Sequence, residues 1–251
     1  MINSDLTLIN CWASQNCLLL NSSKSQAIIF GNKINYLDIP PIYIDLKIIP
    51  YSHSVRNLGL IMSSDLTWDN HINSICQKMF NTLRLMRSKC LGTPRATRLL
   101  LVKSLVLSHL FYCDIIFSKL KGSLMAKVTK IFNNCLRYIY DLRLYDHLSQ
   151  FRNNIFGMPL QNYFNYRVTL FIFRSLHSSD TPNYIKDKFK FSLSNRTNLL
   201  ILTTHKTTIM SDALTIRGAI LWNRLPLDIR KSSSVDRFKK LCQEFHMSEI
   251  V

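Results

Sequence analysis

The chain has 251 residues, 47% of them hydrophobic and 19% charged, so it carries enough apolar material for one large or two small cores and is no disordered tail. Its 32 Lys+Arg against 15 Asp+Glu leave a net charge of +17. A basic excess of that size points to a polyanionic partner, nucleic acid first.

Leu6, Ile9 and Ala13 share one face of a helix end over Asp5 to Ser14, and the lack of a cap for this first element reads as a truncated start. Residues 17–20 and 26–30 read as two strands around the turn NSSKS. Pro40, Pro41 and Pro50 punctuate two more, Ile42 to Leu46 and Val55 to Met62, which makes the first quarter a small antiparallel β layer. From Asp65 the period changes. Ile72, Ile75, Cys76, Met79, Phe80, Leu83 and Met86 recur at three and four, defining the apolar stripe of a helix, with Asp65 and Asp69 placed to cap its start.

Thr93-Pro94 opens a second helix, apolar on nearly every side to Phe117 and therefore expected at the centre of a bundle. A third opens at Ser123, with Leu124, Val128, Ile131, Phe132, Cys135, Leu136 and Ile139 on one face. Gly157-Met158-Pro159 precedes a helix over Leu160 to Ser175, residues 185–212 read as loop or extended chain, and Leu225-Pro226 ends a helix. The serines 232–234 can cap another from Val235.

Four signatures in this order carry a resemblance: LLLNSSKSQAIIF with Trp12 before it, NLGLIMSSDLTWDNHI from Asn57, LVLSHLFYCDIIF from Leu105, and LWNRLPLDIR with FKKL after it. Together they resemble the C-terminal part of a non-LTR retrotransposon reverse transcriptase of the jockey-like kind, over nearly the whole chain. The resemblance implies an α+β fold: a partial palm with its primer-grip hairpin over 1–62, a helical thumb-like bundle over 63–145 and a helical C-terminal region over 146–251. It also implies that Lys24, the lysine of an Asn-x-x-Lys turn, lies near an incoming triphosphate, where a cation can stabilise departing pyrophosphate. Asn57, Leu58 and Gly59 match the primer-grip turn, where glycine lets the backbone approach nucleic acid closely.

Nucleotide addition needs metal ions held by closely placed carboxylates. In the family these are an aromatic-x-Asp-Asp turn and an earlier aspartate, both before the Asn-x-x-Lys turn. Here Asp5 is the only acid upstream of Lys24, and no Asp-Asp pair occurs in the chain. The fragment is therefore expected to bind no cofactor and to be inactive alone, although its parent polymerase would use magnesium. Phe111-Tyr112-Cys113-Asp114 echoes the catalytic turn without its second aspartate, and Asp114 reads as a helix or loop residue. The seven histidines lack the spacing of a metal site.

Between 63 and 145, thirteen Lys+Arg face four Asp. Lys78, Arg84, Arg87, Lys89, Arg95, Arg98, Lys127, Lys130 and Arg137 fall away from the apolar stripes and are the candidate contacts to an RNA/DNA hybrid or other nucleic acid. The alternative is a retained cellular nucleic-acid-binding or protein-interaction module. Unpaired palm strands would leave an edge open to self-association. Lys103, His109 and Asp114 interrupt the most apolar run, so no membrane span is expected, and seven cysteines without a Cys-x-x-Cys pair suggest a reducing, intracellular setting without zinc.

Overall fold

A computed structural model describes residues 2–31, 39–89, 92–192, 197–204 and 206–249. The class is α+β, with small antiparallel β elements and a mainly helical remainder. The chain divides into two compact units, residues 1–74 and 75–251.

The first unit opens with α1 (Ile2–Gln15), of which only Ala13 is buried. The expected strands at 17–20 and 26–30 are absent. Residues 18–20 are irregular, Ser22–Lys24 forms a single 3₁₀ turn, and Ala27 makes one isolated parallel bridge to Tyr51. An apolar run becomes a strand only when a neighbouring strand takes its amides and carbonyls, and here one residue alone is paired so.

The two later strand segments are also shorter than their hydropathy suggests. β1 (Ile42–Ile44) turns at Asp45-Leu46 into β2 (Lys47–Ile49), and β3 (Ser54–Asn57) turns at Leu58-Gly59 into β4 (Leu60–Ser63). Both are antiparallel hairpins with two-residue loops, in register Ile42 to Ile49 and Ser54 to Ser63. All four loop residues have positive φ, between 46° and 89°, the type I′ geometry that matches the strand twist. Two of them are leucines, exposed at 96% (Leu46) and 84% (Leu58).

Asp65 accepts from the amide and hydroxyl of Thr67 (3.0 and 2.9 Å) and turns the chain ahead of α2 (Asp69–Lys89), whose first residue is Asp69. The helix thus starts four residues later than its period implies. Its stripe is buried at Ile72, Ile75, Cys76, Met79, Leu83 and Met86, while Phe80 is half exposed.

In the second unit, α3 (Arg95–Leu101) has Pro94, not Thr93, at its cap, with no side-chain cap bond. A π-type turn over Val102–Val106 leads into α4 (Leu107–Phe111). The helix ends at Phe111 instead of reaching Phe117: Tyr112 is already extended at ψ 115°, and Cys113 follows in the left-handed region at φ 54°. It is not buried all round either: Leu100 is 66% exposed and Leu105 48%. In α5 (Gly122–Tyr140), all seven apolar residues read from the sequence are buried.

α6 (Leu160–His177) follows Pro159, and the short α7 (Asn183–Lys186) follows Pro182. After irregular chain come α8 (Thr208–Asp212), α9 (Leu214–Arg224), α10 (Leu227–Arg230) and α11 (Val235–Ser248), the last capped by Ser234, whose hydroxyl accepts from the Arg237 amide. The main core packs α6, α9 and α11 around Phe173, Trp222 and Phe238, with the Phe173 and Phe238 rings stacked at 4.1 Å. Phe156 connects this region to α4 and α5 through an edge contact with Phe111 and a stacked contact with Phe132.

At the end of α11, His246 is 2% exposed, and its Nδ1 lies 2.9 Å from Glu249 Oε2. Burial pulls its pKa below 6.5, and Glu249 only partly opposes this. The unfolded histidine therefore takes a proton at higher pH than the folded one. The stability it contributes is complete above pH 6.5 and is lost as pH falls below 6.5 through the folded pKa. Urea unfolding between pH 7.5 and 5 should show this loss, and His246→Gln should flatten it.

Candidate nucleic-acid interface

Charge is distributed unevenly between the units. Residues 1–74 hold four Lys+Arg and five Asp, whereas residues 75–251 hold 28 Lys+Arg and ten Asp+Glu. The entire basic excess thus belongs to the helical unit.

Within that unit the exposed side of α5 is grooved. Gly122, Met125, Ala126, Thr129, Lys130, Asn133, Asn134 and Arg137 recur at helical spacing and line a concavity of about 690 Å³ with Leu144. Asn134, Arg137 and Leu144 also line a cleft of about 410 Å³, completed by Arg87, Gly92, Arg98, Tyr138, Asp141 and Leu142. Toward the start of α5, Met125, Thr129 and Asn133 pass into a third hollow that includes Arg152 and Asn153. At about 1.5 Å per residue, α5 offers a track of roughly 28 Å.

Three of the sequence-derived bases meet in the cleft. Arg87 Nη2 donates to the Asn134 carbonyl (3.1 Å), and Arg137 Nε donates to that of Arg143 (3.2 Å). Arg98 donates through Nε to Thr93 O (2.9 Å) and through Nη1 to Tyr138 O (3.1 Å), and Nη1 lies 3.3 Å from Asp141 Oδ1. Lys130 lines the adjoining groove. The others do not join them. Arg95 stacks over the Tyr140 ring at 4.2 Å, Lys127 lies near Cys76, and Lys78, Arg84 and Lys89 are exposed along α2. Asn133 and Asn134 escape a reading that counts charge alone, and Arg152 lies beyond the 63–145 segment in which charge was counted; the polar stripe 129, 130, 133, 134, 137 was the available signal for the two asparagines.

In the first unit, Asn21 Oδ1 accepts from the Lys24 amide (3.2 Å) and the Ser23 hydroxyl (2.6 Å). The Asn-x-x-Lys spacing thus closes a turn and leaves Lys24 exposed. Asn57, Leu58 and Gly59 form the second hairpin tip. Two carboxylates of this unit serve local structure: Asp45 accepts from the Asn10 side-chain amide and Asp65 holds Thr67. Among the described residues no group of three or more His, Cys, Asp or Glu could hold a metal ion.

Asp114 has a structural partner far along the chain. It is 1% exposed and receives Arg167 through two bonds, Nη2 to Oδ1 at 2.9 Å and Nε to Oδ2. Burial pushes its carboxyl up, and Arg167 opposes the rise. Arg217 is also buried and donates to two groups distant in sequence, Ser118 Oγ (2.5 Å) and Asn165 Oδ1 (2.8 Å), and desolvation pulls its pKa down to about 10. Of the cysteines, Cys11, Cys17, Cys76, Cys113, Cys135 and Cys242 are free thiols; Cys90, like His205, lies outside the described residues. No helix among the described residues is long and apolar enough to cross a membrane.

Comparison of the chain with protein-family models, with curated proteins and with solved structures finds no match.

Proposed function

We propose that the chain is a C-terminal fragment of a jockey-like non-LTR reverse transcriptase that contacts nucleic acid through residues 75–251 and does not polymerise alone. The four ordered sequence signatures support the ancestry. The observation that carries the present activity is the segregation of charge: 28 Lys+Arg and ten Asp+Glu in one helical unit, with a groove along α5 lined by Lys130 and Arg137.

Such a unit meets phosphates rather than base edges, so its binding is tolerant of sequence and steep in salt. With about four phosphates neutralised, log affinity against log salt falls with a slope of roughly −3.6. A fluorescently labelled RNA/DNA hybrid titrated with the full chain at several salt concentrations measures this directly. A slope near zero, or no binding, overturns the reading. The same preparation extends no primer on an RNA template; extension would overturn the assignment of inactivity.

A second reading concerns the first unit. Leu8, Ile9, Trp12, Leu19, Leu46, Ile48 and Leu58 are all exposed there, on a surface that is nearly neutral in charge. This favours self-association through apolar contact and unpaired strand edges.

A further inference from the structure

Resting on the nucleic-acid reading above, we propose that the Arg87, Arg98 and Arg137 cleft is a preformed seat for one backbone phosphate, which enters by displacing the Asp141 carboxylate.

The three guanidiniums come from three helices, and each is oriented by at least one main-chain carbonyl. An arginine carries five N–H donors in a rigid fork, so these bonds fix direction and leave further donors for an oxyanion. Prepaid orientation is what separates a seat from a flexible basic surface.

Three of the four carbonyls, those of Asn134, Tyr138 and Arg143, lie on or just beyond the last turns of α5, while that of Thr93 precedes α3, so part of the arginine charge simply answers the helix end. That end counts as roughly half a negative charge. Asp141 contributes one more, and it is the only acid among the described residues that line the cleft. Three guanidiniums against these leave about 1.5 positive charges without an anion. The helix end and Asp141 together account for about half of the charge assembled here.

Asp141 is suited to leave. Its side chain is 87% exposed, and its one ion pair is the 3.3 Å contact with Arg98. Arg98 is 16% exposed, but the Asp141 end of the pair is solvated, and solvent screening there weakens the attraction. Its φ of 56° is set by the end of α5 rather than by that contact, since its amide bonds the Arg137 carbonyl. The carboxylate therefore fills the seat as an internal anion while the backbone beneath it stays fixed. The cleft volume of about 410 Å³ falls in the range of small-ligand sites, and it opens through Asn134 and Arg137 to the groove bearing Lys130, where the neighbouring backbone can continue.

The sign of the Asp141 effect tests this. Asp141→Asn keeps a residue that tolerates the left-handed conformation and should tighten binding of an RNA/DNA hybrid to the full chain about fivefold. Arg87→Ala and Arg137→Ala should each weaken it about tenfold and lower the salt slope by about one. Lys239→Ala, at an exposed position on α11, is the control and should change affinity less than twofold by the same counterion argument applied to a non-contacting charge. If Asp141→Asn leaves affinity unchanged and the arginine variants lose no more than the control, the seat is overturned while hybrid binding itself stands. Absence of hybrid binding by the unmodified chain overturns the nucleic-acid reading instead. Inorganic phosphate is the second probe: it should raise the melting temperature of the Asp141→Asn chain and not that of Arg137→Ala. Equal shifts in the two overturn the seat, and a phosphate effect without any change in hybrid affinity overturns its assignment to backbone.

Discussion

Asparagine at position 114 should cost the folded chain about 3 kcal/mol, the lower end of the range for breaking a buried ion pair. The reason is what remains after the charge is removed. Asp114 is 1% exposed and meets Arg167 through a two-pronged contact, while Arg167 also lies over the Phe111 ring at 5.5 Å. Asparagine can still accept one bond but cannot balance a guanidinium, and Arg217 on a neighbouring helix already relies on the neutral acceptors Ser118 and Asn165. Arg167 keeps 32% of its side chain in contact with water, which places the cost at the low end. Urea unfolding should show a lower midpoint at an unchanged slope. Adding Arg167→Leu to Asp114→Asn should recover most of the loss, because the penalty belongs to the orphaned cation. A double variant as unstable as the single one would refute this account.

The same residue shows where sequence reading stops. Phe111-Tyr112-Cys113-Asp114 sits in an apolar run with a helical period, and nothing local distinguishes a buried acid from a surface one. The partner that decides the matter lies on α6, and the helix break before Asp114, with Tyr112 extended and Cys113 left-handed, is announced by no residue-type preference. By contrast, α5 was legible in full, since its seven apolar positions need only the 3.6-residue period and one core-facing side. The expected strands at 17–30 failed for the opposite reason: pairing is decided elsewhere in the chain, and Ala27 alone found a partner in Tyr51. The arginine cleft was legible as charge and not as geometry. Arg87, Arg98 and Arg137 stood among nine candidate bases, and only the packing of α2, α3 and α5 selects them.

The signatures behind the reverse transcriptase resemblance also acquire local explanations. Asn21 closes the turn that carries Lys24, Asp65 holds Thr67 ahead of α2, and Leu58-Gly59 turns a hairpin. A leucine at positive φ carries a strain of about 1–2 kcal/mol, and Leu58 offsets almost none of it by burial, since 84% of it is exposed. Folding alone would favour asparagine or glycine there.

Alanine in place of Trp222 should cost about 3–5 kcal/mol, a loss comparable to the whole stability of a marginal domain. Trp222 is fully buried, with the Phe173 and Phe238 ring centroids at 6.4 and 5.8 Å, and its indole N–H donates to the Asn198 carbonyl at 2.8 Å. The adjacent Asn223 donates to Leu200 O (2.9 Å) and accepts from its amide (2.8 Å). The Trp-Asn pair of LWNRLPLDIR therefore clamps residues 198–200 onto α9 while the tryptophan ring fills the core. Trp222→Phe keeps most of the ring volume and removes the donor, so it should cost only about 1–3 kcal/mol, the penalty of a buried carbonyl left unpaired. Denaturant unfolding of the two variants separates cavity from hydrogen bond, and equal losses would assign the whole effect to the bond. Trp222 does not line the α5 groove or its arginine cleft. Affinity for an RNA/DNA hybrid, counted per folded molecule, should therefore be unchanged in Trp222→Phe, whereas a selective loss of affinity in a fully folded variant would move the binding surface from α5 to this end of the unit.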